Sequence, residues 1–189
     1  MPRTPAPPAP ALAFYLQHAK DFDALCQLDE PPKGVEARDW QKFLDVVDKA
    51  SEQGAKIVIA CRDGAVEAFS ARFNPGEKTR PATAKQDWVA YGQLREKKPK
   101  TLKSFYVGCG LSHDPAGRVF LWPYVYAHRS ARTELLDRVN AARLSWALPK
   151  ADWLTDCVPL ALIPIEPKSD LGEVTAACGK HFVELARYF

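Results

Sequence analysis

Cys109 stands between two glycines, with His113 and Asp114 just beyond it and His128 after an intervening turn. A thiol attacks carbon only as its thiolate. A histidine within hydrogen-bond reach can take the proton, and a carboxylate can orient the imidazole. The pattern therefore offers Cys109 as nucleophile, His128 or His113 as base and Asp114 as the orienting group, the equipment of a cysteine-dependent hydrolase or deamidase. The same residues have an explanation without chemistry: cysteine is a small apolar residue suited to a crowded strand position, and His113-Asp114 opens a turn. On that ground the chain reads first as a binding protein and second as an enzyme.

The binding candidates lie in the same stretch, from Lys103 to His128. Two β-prone runs flank His113-Asp-Pro-Ala-Gly-Arg118, and Asp114, Pro115 and Gly117 supply a side-chain acceptor, a preset φ and tolerance of positive φ. A hairpin is expected. If His113 faces Arg118, then Leu111, Cys109, Val107 and Phe105 face Phe120, Trp122, Tyr124 and Tyr126 and share one aromatic side of the ribbon. Tyr106, Gly108 and Gly110 then lie on the other side against Val125, Pro123 and Leu121, where the glycines leave a shallow place. A slip of one residue exchanges the two faces, and a bulge is expected near Trp122-Pro123. The aromatic side either packs on helices or lines a ligand pocket with Trp122, Tyr124 and Tyr126, and the other side, with Tyr106, Gly108 and Gly110, marks a bulge or a close approach of backbone, helix or ligand. The functional expectation is a binding module for a small molecule or a protein partner built on this hairpin.

Other chemistries lack their patterns. The four histidines, His18, His113, His128 and His181, are dispersed, and neither His-x-x-x-His nor paired-cysteine spacing occurs, so no metal site is expected. No phosphate-binding glycine motif occurs either, and no cofactor is expected. Five cysteines without Cys-x-x-Cys spacing fit reduced, buried thiols and a cytoplasmic protein. A net charge of +3 implies neither nucleic acid nor membrane, although Lys97 to Lys103 forms a small basic run that is the ground for a weak nucleic-acid binder as a further alternative. No apolar run is long enough to span a bilayer.

The elements that must position these residues follow from periodicity. Residues 1–10 are proline-rich and are expected to form a disordered tail ahead of one domain, 11–189. Three- and four-residue steps predict a helix from Ala11 to about Leu28 and a second, capped by Asp39 and stopped at Gly54. Lys56 to Cys61 and Ala65 to Phe73, separated by Arg62-Asp63-Gly64, predict a first hairpin. A short helix is expected from about Lys85 to Lys97, a helix after Ser130, an edge strand in Val158 to Ile165 limited by Pro159 and Pro164, and a terminal helix opened by Ser169 or Asp170. The result is an α+β fold with a mostly antiparallel sheet of about five strands and helices packed on it. Its order of elements resembles that of PAS, GAF and profilin-like domains. Bacterial Cys-His glutamine deamidases likewise carry a histidine downstream of the cysteine, and the pair here that resembles theirs is Cys109 and His128.

Overall fold

A computed structural model describes residues 6–79, 88–97, 102–146, 150, 152 and 157–189. The chain runs α1 (Pro10–Cys26), α2 (Ala37–Ala68), β1 (Phe73–Lys78), β2 (Trp88–Glu96), β3 (Ser104–His113), β4 (Val119–Tyr126), α3 (Arg132–Ser145), β5 (Val158–Pro159), β6 (Ile163–Pro164) and α4 (Leu171–Leu185). It is an α+β fold around an antiparallel sheet. Strands β1 to β5 are neighbours in chain order, and β6 also pairs with β4. The prolines of the last two strands hold each to two residues, as an edge position with missing donors requires.

The long second helix corrects the expected first hairpin. Ala50, Gly54, Ile57, Val58, Cys61 and Ala65 are buried along α2 at three- and four-residue steps, so the β-branched run Ile57-Val58-Ile59 completes a helical stripe. A short apolar run is compatible with either period; here packing against the sheet decides. Gly64 stays helical, and Gly54 is no stop. A Cβ at Gly54 would sit 2.7 Å from the Trp88 ring, so glycine in mid-helix is what admits that indole.

The helix expected to end near Lys97 is instead β2. Trp88, Ala90, Gly92 and Leu94 are buried, while Val89, Tyr91, Gln93 and Arg95 between them are half-buried or exposed. The three-residue spacing of Trp88, Tyr91 and Leu94 matched a helix by coincidence, and alternation is the true period. Residues 85–87 of that prediction lie outside the described residues.

The central hairpin forms where expected, in a register displaced by one residue. The Asp114 carboxylate accepts from the amides of Ala116 at 2.9 Å and Arg118 at 3.0 Å, and Gly117 has φ of 83°. The turn thus takes up Arg118, and His113 pairs with Val119. Pairing then continues unbroken through Leu111 with Leu121, Gly110 with Trp122, Cys109 with Pro123, Gly108 with Tyr124 and Tyr106 with Tyr126. No bulge interrupts it at Pro123, and the two faces are exchanged relative to the expected register.

Helices α2 and α4 pack against the face that carries Phe105, Val107, Cys109 and Leu111. Tyr15 of α1 meets the Trp88 ring edge-on at 4.5 Å. Of the expected tail, residues 1–5 lie outside the described residues, while Pro8 is buried and the Ala6 carbonyl accepts from Leu171 at the start of α4. Asp170 caps that helix, accepting from the amides of Gly172 and Glu173.

Candidate functional site

Three strands contribute side chains to the sheet's outer face in rows set by the pairing. Val89, Gly110 and Trp122 form one row; Tyr91, Gly108 and Tyr124 the next; Gln93, Tyr106 and Tyr126 the third. Glycine in the middle strand has a specific cause. A Cβ on Gly110 would overlap the Trp122 indole and one on Gly108 would meet the Tyr124 phenol, so both rings lie down across β3. They stack on one another at 4.9 Å with planes 29° apart. The glycines therefore share a face with the aromatics, and the shallow place expected above them is filled by those rings.

A hollow of about 330 Å³ opens beside this ledge, lined by Tyr91, Trp122, Tyr124, Tyr126 and Cys157. That volume falls at the lower end of small-molecule sites. One end of the face is polar. Gln93 Nε2 donates to the Tyr106 hydroxyl at 3.2 Å, while the two ring nitrogens of His128 lie 3.3 Å from that hydroxyl and 3.2 Å from the hydroxyl of Tyr126. With Gln93 already donating to it, the Tyr106 oxygen can give its own proton to His128 Nε2, leaving Nδ1–H for Tyr126. Tyr91 meets Tyr106 edge-on at 5.6 Å, and exposed Arg95 lies one row beyond.

No known protein family, curated protein or solved structure matches this chain. The resemblance to PAS, GAF and profilin-like domains thus stays one of element order. Geometry alone carries the functional reading.

That geometry does not assemble the hydrolase residues. Cys109 points into the core, is fully buried, and has as its side-chain partner the Cys178 sulfur at 3.8 Å. Burial pushes its thiol well above the ordinary range. His128 lies at the far end of the opposite face, bonded to two tyrosines. His113 sets Nδ1 2.8 Å from the Asp114 carbonyl, so that nitrogen carries a hydrogen, and Nε2 lies 2.9 Å from a carboxylate oxygen of Asp23 on α1. Burial raises the Asp23 carboxyl above its usual range, and the neighbouring imidazole moderates the shift. This pair ties α1 to the hairpin tip. Asp114 shapes the turn and pairs with Arg118.

The basic run gives an equally structural account where it is described. The Lys97 ammonium donates to the Ser70 carbonyl at 2.9 Å just after α2, and Lys98 to Thr101 lie outside the described residues. No helix among the described residues is long and apolar enough to cross a membrane.

Two arrangements escaped sequence reasoning. Tyr91 and Gln93 were hidden by the helical reading of their segment, although the alternation of Trp88, Ala90, Gly92 and Leu94 was there to find them. Cys61 of α2, Cys109 of β3 and Cys178 of α4 converge in the core with all three sulfurs within 4.8 Å of one another. Because each comes from a different element, no spacing motif announces them. Sulfur hydrogen bonds from Cys109 and Cys178 draw the Cys61 thiol down. Cys178 is lowered by Cys109, but contact with Cys61 together with burial leaves it raised.

A larger hollow, about 540 Å³, lies between α1 and α2 and is lined by Pro10, Ala11, Phe14, Lys42, Phe43, Val46 and Lys49. Its lining is apolar but for Lys42, held by Asp39 at 2.7 Å, and Lys49. The ledge offers convergent polar groups and stacking rings, so it is the better candidate despite its smaller volume.

Proposed function

We propose that the protein is a binding module whose site is the outer face of the sheet, and whose ligand is a small flat ring system bearing a hydrogen-bond acceptor or acidic group. The observation that carries this reading is the juxtaposition of Tyr91, Trp122, Tyr124 and Tyr126 around one hollow, with the Gln93, Tyr106 and His128 network at its edge. Aromatic walls give a flat ligand stacking worth about 0.5–1.5 kcal/mol per ring beyond burial. The polar end supplies orientation, and Arg95 stands on the side where an anionic substituent is favoured.

The test is a saturation-transfer screen of heteroaromatic carboxylates and phosphates against the full chain, followed by affinity measurements on variants. Trp122→Ala and Tyr91→Ala are expected to weaken the best ligand about tenfold or more, the equivalent of roughly 1.4 kcal/mol, and Phe14→Ser in the helical groove to leave it unchanged. Loss of binding in Phe14→Ser with retention in Trp122→Ala would place the site between α1 and α2 and overturn the proposal.

A further inference from the structure

The three-cysteine cluster is independent of the ledge, lying on the other side of β3. Cys61, Cys109 and Cys178 are 3 %, 0 % and 0 % exposed. The Cys109 and Cys178 sulfurs are 3.8 Å apart and the whole set fits within 4.8 Å. An equilateral triangle has its centre at the side length divided by √3, here about 2.2–2.8 Å from each sulfur, which brackets the ~2.3 Å of a metal–thiolate bond. Three apolar side chains could fill the same volume, but they would not aim three soft donors at one point.

We propose that Cys61, Cys109 and Cys178 hold one thiophilic monovalent metal ion, Cu(I), as a three-sulfur centre that fastens α2 and α4 to the middle of the sheet. The donor set selects the ion: it is sulfur alone, which suits Cu(I), zinc or an iron–sulfur cluster, and structural zinc and iron–sulfur clusters almost always take four ligands. No histidine or carboxylate joins the three sulfurs among the described residues. Sulfur binds a metal as thiolate, so the ion enters as the thiol protons leave. With its donors on three elements and closed to solvent, the site takes its ion as the chain folds.

The experiment refolds the full chain, carrying Cys26→Ser and Cys157→Ser to remove the two more exposed thiols, under reducing conditions with one equivalent of Cu(I) or of Zn²⁺. A colorimetric Cu(I) chelator then competes for the metal, and X-ray absorption reports the atoms around it. The expected result is one Cu(I) per chain, three sulfur neighbours and a raised Tm. Replacing any one of the three cysteines by serine should lower affinity by no less than the roughly 10- to 100-fold that losing an outer-shell partner costs. Because serine in the core can itself unfold the protein, Cys61→Val and Cys178→Val serve as parallel variants, with circular dichroism as the folding control. Failure of the folded parent to retain Cu(I) against the chelator, retention undiminished in a folded single variant, or preference for Zn²⁺ over Cu(I) would each overturn the assignment.

Discussion

Two glycines in one helix separate packing from propensity. Gly54 and Gly64 both lie inside α2, where alanine is favoured by about 1 kcal/mol. A Cβ at Gly64 meets nothing within 4 Å, whereas at Gly54 it would press on a Trp88 ring that Tyr15 backs at 4.5 Å. Gly64→Ala should therefore raise stability by about 0.5–1 kcal/mol, while in Gly54→Ala an overpacking cost of about 1–3 kcal/mol should outweigh the gain; urea midpoints of the two variants check both signs. Thiol chemistry gives a second prediction. Cys26 and Cys157 are half-buried while Cys61, Cys109 and Cys178 are buried, so alkylation followed by mass spectrometry should mark Cys26 and Cys157 in the native protein and the cluster only as the chain unfolds. His128→Ala should not change the Cys109 rate; slowing of a fast native reaction at Cys109 would restore the nucleophile reading. The sequence singled out Trp122, Tyr124, Tyr106, Gly108 and Gly110 as a group, because aromatics and glycines concentrated in one hairpin are visible in one dimension. It could not say that the indole lies on the glycine, since that depends on a single step of register fixed by the Asp114 turn.

Elements were legible where one period was unambiguous. The stripe Leu12, Tyr15, Leu16, Ala19 and Phe22 is buried along α1, and Leu171 to Leu185 forms the expected terminal helix. Asp170 caps it, accepting from Gly172 at 2.7 Å, so Asp170→Ala should cost about 1 kcal/mol in a denaturant titration. Where apolar residues fit both periods, β-branched propensity misled in Ile57 to Cys61 and three-residue spacing in Trp88 to Leu94, and in both the tertiary partner decided. The contact of α4 with α3 carries a pH dependence. His181 packs edge-on near the Trp146 ring at 5.8 Å, and burial lowers its pKa below 6.5, with Glu184 opposing and Lys180 and Arg143 assisting. A folded value below the unfolded one means that the unfolded chain binds the proton more readily. The associated stability is present above pH 6.5 and is lost as pH falls through the folded value. Urea midpoints should thus fall between about pH 7 and pH 5, and His181→Phe should flatten that fall; an equal slope in the variant would show that another group carries it.

At the scale of the molecule, the sheet is a meander with α2 and α4 packed on one face, and this leaves the other face to the aromatic rows. Antiparallel pairing was within reach of the sequence, because the central hairpin turn and the edge prolines are local; the strand count was not, since the two strands expected around Arg62-Asp63-Gly64 fall largely in α2 and β2 was expected as a helix. The convergence of Cys61, Cys109 and Cys178 was not, for it joins residues that only the packing of two helices on one strand brings together. The same layering sets the functional account: the face turned toward the helices holds the thiols, and the opposite face holds the rings and the His128 network. Ligand binding on the outer face is tested by amide chemical-shift mapping with the best heteroaromatic carboxylate or phosphate from the screen. The largest shifts should fall on Tyr91, Gly108, Gly110, Trp122 and Tyr126, and Trp122→Ala should need about tenfold or more ligand to reach them. Shifts centred on Phe14 and Phe43, or none on β2 to β4 at saturating ligand, would contradict binding there.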